Sequence, residues 1–249
     1  MKRDDFGDRM KAYESVYTGS KITPPDYLCV RIDGKRFSKY TKAFKKPFDD
    51  ILQTTMLATT KHLVEETSAT LGYVQSDEIS LFFPPNEAGH DFIFGGKTSK
   101  INSVFASIAT AFFNSILQRE DGQLAYFDSR AFAAPTGIEA SNVLLWRAAD
   151  ARKNSISALF RWTAGKSAMH GLNQTQMKRY LLENNSVDWE DLPVHYKYGT
   201  FVAPRTVEVN SVNSDSVLRT KVEVVQNLGW IGDLPLEVRV ALVNKKVKP

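Results

Sequence analysis

Two short apolar runs in this chain end in carboxylates, and they constrain the fold more than any other feature. Tyr27–Ile32 reads as a buried strand that stops at the turn residues Asp33 and Gly34. Asp77 follows 44 residues later, in a polar Ser76-Asp77-Glu78 corner between the strand candidates 73–75 and 79–83. Between them, residues 49–71 form the longest helical pattern, with Ile51, Leu52, Met56, Leu63 and Val64 on one side and Asp49 and Asp50 at its start. Gly72 is expected to close that helix. If the two strands are neighbours in one sheet, Asp33 and Asp77 meet at the same edge.

The rest of the chain fits the same plan. Residues 1–17 place Phe6, Met10, Tyr13 and Tyr17 at helical spacing, and Pro24 and Pro25 then break the chain before the first strand. A glycine pair at 95–96 leads into a helix over 99–117, residues 125–132 read as a strand, and Thr136 opens a third helix carrying Leu144, Leu145 and Trp146. The order strand, helix, hairpin, helix, strand, helix predicts an α/β (α+β) chain: one antiparallel sheet covered by helices. Residues 150–195 read as helix and loop, and 200–225 as strand-rich. No linker or internal repeat divides the chain. The expectation is a single domain over 1–249, with a core at 1–146 and a C-terminal helical and strand elaboration at 147–249 that is not independent.

Composition narrows the class. With 43% hydrophobic and 24% charged residues, the chain is neither disordered nor a disulfide scaffold. No apolar run approaches the roughly 20 residues of a membrane span, and the charged N-terminus lacks the apolar stretch of a signal peptide. The single cysteine, Cys29, lies in the apolar run YLCVRI and is expected to be a buried thiol, which suits a reducing, cytoplasmic compartment. Net charge is +4, which permits an anionic partner. Lys35, Arg36, Lys39, Lys42, Lys45 and Lys46 fall in a stretch with no acidic residue, and Lys245, Lys246 and Lys248 give the chain a basic end.

Carboxylates beside cations point to phosphoryl transfer. Asp33, Asp77 and the Gly34 carbonyl make a hard oxygen set of the kind magnesium takes, with waters and substrate phosphate completing its shell. Two such ions activate an attacking hydroxyl and stabilise a leaving oxyanion. Glu78 is a weaker ligand candidate, because strand alternation aims it away from Asp77. The four histidines are scattered, and the chain has no GxxxxGK[ST], GxGxxG or GxSxG stretch, so zinc, P-loop, Rossmann and nucleophile-elbow chemistries lack support.

Several segments together resemble a known family: RIDGKRF at 31–37, FKKP at 44–47, GYVQSDEISLFF at 72–83, SKINSVFASIATAFF at 99–113, YFDSRAF at 126–132, LLWRAADARKNSI at 144–156 and, more weakly, YKYGTFV at 196–202. The chain is similar to the tRNA-His guanylyltransferases and their guanylyltransferase-like relatives, the 3′-to-5′ polymerases. The resemblance implies a palm fold like that of polymerases and nucleotide cyclases, and two Mg2+ ions held by Asp33, Gly34 and Asp77. Lys46 matches a nucleotide-phosphate lysine, and Lys100 and Arg130 match triphosphate-contacting positions. Ser76 either caps the hairpin corner or touches the nucleotide. In the family ATP or GTP activates a 5′-monophosphorylated tRNA end, the 3′-hydroxyl of an incoming nucleoside triphosphate attacks it, and the enzyme assembles as a homotetramer.

One stretch departs from the family. Where the tRNA-His enzymes carry His-Ile-Asn-Asn-Leu-Tyr-Asn, this chain has Arg152-Lys153-Asn154-Ser155-Ile156-Ser157-Ala158. Only Asn154 is kept, while Arg152 and Lys153 offer sequence-blind contacts to an RNA backbone. The expected function is therefore template-dependent 5′-end repair of tRNA. The alternatives are G addition to tRNA-His, a palm-type nucleotide cyclase, and a non-catalytic RNA-binding protein.

Overall fold

The computed structural model describes residues 5–86, 89–210, 216–225 and 228–244, so the basic end at 245–248 lies outside the described residues. In chain order the described elements are α1 (Asp5–Thr18), β1 (Tyr27–Gly34), α2 (Phe37–Tyr40), α3 (Asp50–Thr67), β2 (Leu71–Gln75), β3 (Glu78–Phe83), α4 (Thr98–Ile116), β4 (Phe127–Ala134), α5 (Gly137–Thr163), α6 (Gln174–Asn185), α7 (Val194–Tyr198), β5 (Thr200–Asn210), β6 (Ser216–Val224) and α8 (Leu236–Val243). Short 3-10 turns join several of them. The six strands form one sheet in the order β4-β1-β3-β2-β5-β6, with every neighbouring pair antiparallel. The expected antiparallel sheet covered by helices is present, and β5 and β6 extend it beyond the hairpin.

The covering follows from strand alternation. Leu28, Val30 and Ile32 of β1 point to one face and are buried with Leu81 of β3 against Leu63 and Val64 of α3 and Ile101, Phe105, Ala109 and Phe113 of α4. Cys29, Phe82 and Phe201 point to the other face, against Ala140, Leu144 and Ala148 of α5 and Leu242 and Val243 of α8. Cys29 is 1% exposed and burial pushes its thiol up to about 12, so it is the inert core thiol expected. A third cluster joins the far end of α5 to α6 through Ile156, Phe160, Met177, Leu181 and Trp189. Among the described residues none of these clusters includes a side chain of α1, whose Phe6, Tyr13 and Val16 are exposed. No described helix is long and apolar enough to cross a membrane.

Local signals set the helix ends. Asp49 caps α3 with both carboxylate oxygens, accepting from Leu52 N at 2.9 Å and Lys45 N at 2.9 Å. Thr136 caps α5, accepting from Glu139 N at 3.2 Å. The helix stop assigned to Gly72 is corrected: α3 ends at Thr67, its C-cap Ser68 takes the left-handed conformation at φ 57°, and Gly72 lies inside β2. Its glycine has a different cause. A Cβ there would come within 2.7–2.9 Å of Val64, Val202 and Thr60, so α3 and β5 close onto β2 only over a bare backbone.

Candidate functional site

Register turns three strands into three rows. Residues directly opposite in antiparallel strands share a face, so Cys29, Phe82 and Phe132 form one row, Arg31, Ser80 and Arg130 the next, and Asp33, Glu78 and Asp128 the last. Along the face that carries α5, the sheet therefore changes from apolar, through cationic, to acidic as β1 runs to its end.

The carboxylate pair forms at that end. The β2–β3 turn is pulled onto β1 by Gly34 N, which donates to the Asp77 backbone oxygen at 3.0 Å. Ser76 takes the left-handed conformation at φ 53°, which tightens the turn. Gly34 is obligatory: a Cβ would lie 2.2–2.6 Å from the Phe37 ring, which itself packs among Phe113, Phe127 and Tyr40. Burial raises the Asp77 carboxyl above its ordinary range and the nearby Asp33 charge raises it further, against smaller opposing hydrogen bonds from its own backbone and from Ser76. Two carboxylates held together at such a cost have the electrostatics of a divalent-cation site. Among the described residues no three His, Cys, Asp or Glu side chains gather at metal-binding separation. The fit is to a magnesium-like ion that takes two carboxylates, a carbonyl and substrate oxygens.

The neighbouring carboxylates are committed elsewhere. Glu78 is gripped by Arg147, whose Nε donates to Oε1 at 2.5 Å and whose Nη2 donates to Oε2 at 2.7 Å, in keeping with its weaker standing as a ligand. Asp128, opposite Asp33, pairs with Arg130 at 3.1 Å, and both side chains are about half exposed. Arg130 thus stands on the face of Asp33, one row in.

Beside the carboxylates lies a cleft of about 150 Å³, lined among others by Pro47, Phe48, Gln75, Ser76, Asn154 and Tyr196. Phe48 and Tyr196 stack with centroids 4.6 Å apart at 20°. Tyr196 donates its hydroxyl to Asp50 Oδ1 at 2.5 Å, which fixes the ring. His195, also on the wall, is held below the usual imidazole range by burial. Lys46 immediately precedes Pro47, is partly buried, and donates from Nζ to Thr41 Oγ1 at 3.2 Å. The backbone of this basic segment is anchored by Arg119, which donates to Tyr40 O at 2.8 Å and lies over the Tyr40 and Phe44 rings. Lys35, Arg36, Lys39, Lys42 and Lys45 remain exposed.

The structure brings Asp33, Gly34, Ser76 and Asp77 together, with Asn154 across the cleft and Arg130 one row away. It does not bring Lys100 to them. Lys100 stands in the first turn of α4 with its ammonium 4.9 Å from the Phe94 ring. Asn102, two residues on, accepts from Ala131 N, three residues along β4 from Asp128, or roughly 10 Å at strand rise. Arg152 is likewise apart: its guanidinium lies over both the Trp189 and Trp230 rings, at 5.8 and 5.4 Å, and its Nε is buried without a hydrogen-bond partner among the described residues. Lys153 is exposed.

Sequence reasoning passed over Asp128, Arg147, Tyr196 and Arg119. The alternation in YFDSRAF sets Asp128 and Arg130 on one face, but only register places them beside Asp33 and Arg31. Arg147 and Tyr196 lie in segments that carry the family resemblance, and no pattern in those segments assigns either a role. Arg119 had no signal at all.

Residues 7–135 match the family described as tRNAHis guanylyltransferase. A solved structure of a bacterial tRNA(His) guanylyltransferase-like protein in complex with ATP superposes with a TM-score of 0.83 at 35% identity, covering 97% of this chain and all of that one. The complex of such a protein with GTP gives 0.80 at 35%. The Saccharomyces cerevisiae tRNA(His) guanylyltransferase structure shares the fold with a TM-score of 0.67 at 22% identity, covering 86% of this chain and 95% of that one. An uncharacterized protein of Acanthamoeba polyphaga mimivirus is 30% identical over 240 residues, which is 86% of this chain and 82% of that protein. The chain belongs to the tRNAHis guanylyltransferase (Thg1) family of nucleotidyltransferases.

Proposed function

We propose that this chain repairs the 5′ end of tRNA, adding nucleotides in the 3′-to-5′ direction against a template. The observation that carries the reading is the Ser76-Asp77 turn: Ser76 lines the cleft while Asp77 completes the carboxylate pair. A nucleotide with its base in the cleft therefore has its phosphates at the carboxylates. The relatives solved with ATP and with GTP support a purine triphosphate as that ligand.

The chemistry has two steps. The 5′-monophosphate of the RNA attacks the α-phosphorus of ATP or GTP and releases pyrophosphate. The 3′-hydroxyl of an incoming nucleoside triphosphate then attacks the activated 5′ phosphorus and releases AMP or GMP. Phe48, Tyr196 and Asn154 hold the activating nucleotide, Ser76 touches it, and Lys46 neutralises its phosphates. Arg130 holds the triphosphate of the incoming nucleotide, and Lys100, in the first turn of α4 on the other side of β4, is a second cation for it. Two Mg2+ ions at Asp33, the Gly34 carbonyl and Asp77 would supply Lewis-acid stabilisation of the transferred phosphoryl group.

Repair is favoured over dedicated G addition to tRNA-His by the 152–158 stretch. Arg152 lies over two indoles and Lys153 is an exposed point charge, so neither selects a base. Pairing with the opposite strand then supplies the discrimination. We further propose a homotetramer, in which the exposed apolar residues of α1 are surface that assembly would cover. Incubation with magnesium, nucleoside triphosphates and several tRNAs lacking one 5′ nucleotide tests the function. Extension of several species supports it. Cyclic nucleotide as the product, extension of tRNA-His alone, or RNA binding without turnover overturns it.

A further inference from the structure

One arginine stands where the two halves of the site meet. Arg147 of α5 is only 8% exposed, beneath the Trp146 ring at 4.5 Å. Its guanidinium takes both oxygens of Glu78, and the same Nη2 reaches Asp150 Oδ2 at 3.0 Å. That Asp150 oxygen also accepts from Asn154 Nδ2 at 3.2 Å. Glu78 directly follows Asp77 in the chain, and Asn154 lines the cleft with Ser76. An unbroken path thus runs from Asp77 through Glu78, Arg147 and Asp150 to Asn154.

The planar fork of arginine suits this task, because it fixes direction as well as charge, and a lysine ammonium in its place fixes only charge. Arg31 is no substitute: its Nε stays 3.9 Å from Glu78 Oε2 and has no hydrogen-bond partner among the described residues. We propose that Arg147 is a positioning residue that ties the carboxylate pair to the nucleotide cleft, so that the Ser76-Asp77 turn and Asn154 keep one register on α5. The assignment rests on the two-step reading above. Glu78 is then a handle on the turn rather than a ligand, and Asp150 is the limb that reaches Asn154.

The two steps can be measured apart. Transfer of AMP from ATP to a 5′-monophosphorylated RNA needs cleft and carboxylates together. Addition of a nucleotide to a 5′-triphosphorylated RNA needs no activation, because pyrophosphate is already the leaving group. Arg147→Lys keeps the charge and loses the fork; the expected result is a fall in kcat of about 10- to 100-fold in both steps, with the KM for either nucleotide changed less than about threefold. Asp150→Ala cuts only the limb to Asn154. It should raise the KM for ATP about tenfold in the first step and leave the second within about twofold. Rescue by Arg147→Lys to wild-type rates, a loss confined to one step, or an equal loss in both steps with Asp150→Ala overturns the assignment. If Arg147→Lys fails to fold, the Asp150→Ala pattern alone decides by the same criteria. A wild-type protein that performs neither step overturns the two-step reading itself, and the coupling with it.

Discussion

The two faces of the sheet are made from the same strands and do different work. On the face toward α3 and α4, β1 presents Leu28, Val30 and Ile32, all buried to 1% exposure or less. On the face toward α5 it presents Cys29, Arg31 and Asp33, and only the first is fully buried. β3 and β4 repeat the contrast, as Phe82, Ser80, Glu78 and as Phe132, Arg130, Asp128. The dry face carries stability. The graded face gives up apolar burial, row by row, to assemble cations and then carboxylates at one edge. The site is thus the end of a gradient that register creates, set on a scaffold anchored from behind.

Substitutions should separate the faces. The largest effect is expected at the acidic end: Asp33→Ala and Asp77→Ala should each lower nucleotide addition by on the order of 100-fold or more, with the circular dichroism spectrum unchanged. Near-wild-type turnover at saturating magnesium would remove the metal assignment. Ile32→Ala, one residue away on the dry face, should do the reverse. It should cost about 2–5 kcal/mol in a denaturant titration, with turnover per folded molecule retained. A selective loss of turnover there would erase the division between the faces.

Smaller effects sharpen the comparison. Lys46→Ala and Arg130→Ala should raise the KM for their nucleotides roughly tenfold, the worth of one or two charge-assisted hydrogen bonds, while tRNA affinity stays nearly constant. A fall in tRNA affinity without a nucleotide effect would make them RNA contacts. The smallest change concerns stability. Since the folded Asp77 carboxyl is raised above its unfolded value, its contribution is fully present at acid pH and is lost as pH rises through the raised pKa. Asp77→Asn should therefore stabilise the metal-free protein at neutral pH, by roughly 2–4 °C in Tm for each kcal/mol of burial and repulsion cost removed. That gain should vanish at acid pH, and magnesium should raise Tm in the wild type alone. A variant less stable than wild type at pH 7 would contradict the repulsion.

Much of this was legible in the chain. The apolar runs at 27–32 and 79–83 gave the central strands because each is bounded by turn residues, and Asp33 and Asp77 were found because they sit at those bounds. Gly72 misled, since a glycine after a helix serves either as a stop or as a packing gap, and only Val64, Thr60 and Val202 closing around it decide which. Arg147 and Asp128 were illegible for another reason: their meaning lies in partners 69 residues away at Glu78 and across a strand pair at Asp33. Arg152 read as a free cation because its two indoles come from segments far along the chain.

The central claim is that an RNA template, not the protein surface, selects the nucleotide added at the carboxylate pair. It is tested most directly by changing the base opposite the missing 5′ position in a truncated tRNA and sequencing the extended product. The account predicts that the incorporated nucleotide changes to the complement of each new base, in tRNA-His and in other tRNAs alike. Incorporation of G whatever the opposing base, and in tRNA-His only, would contradict it.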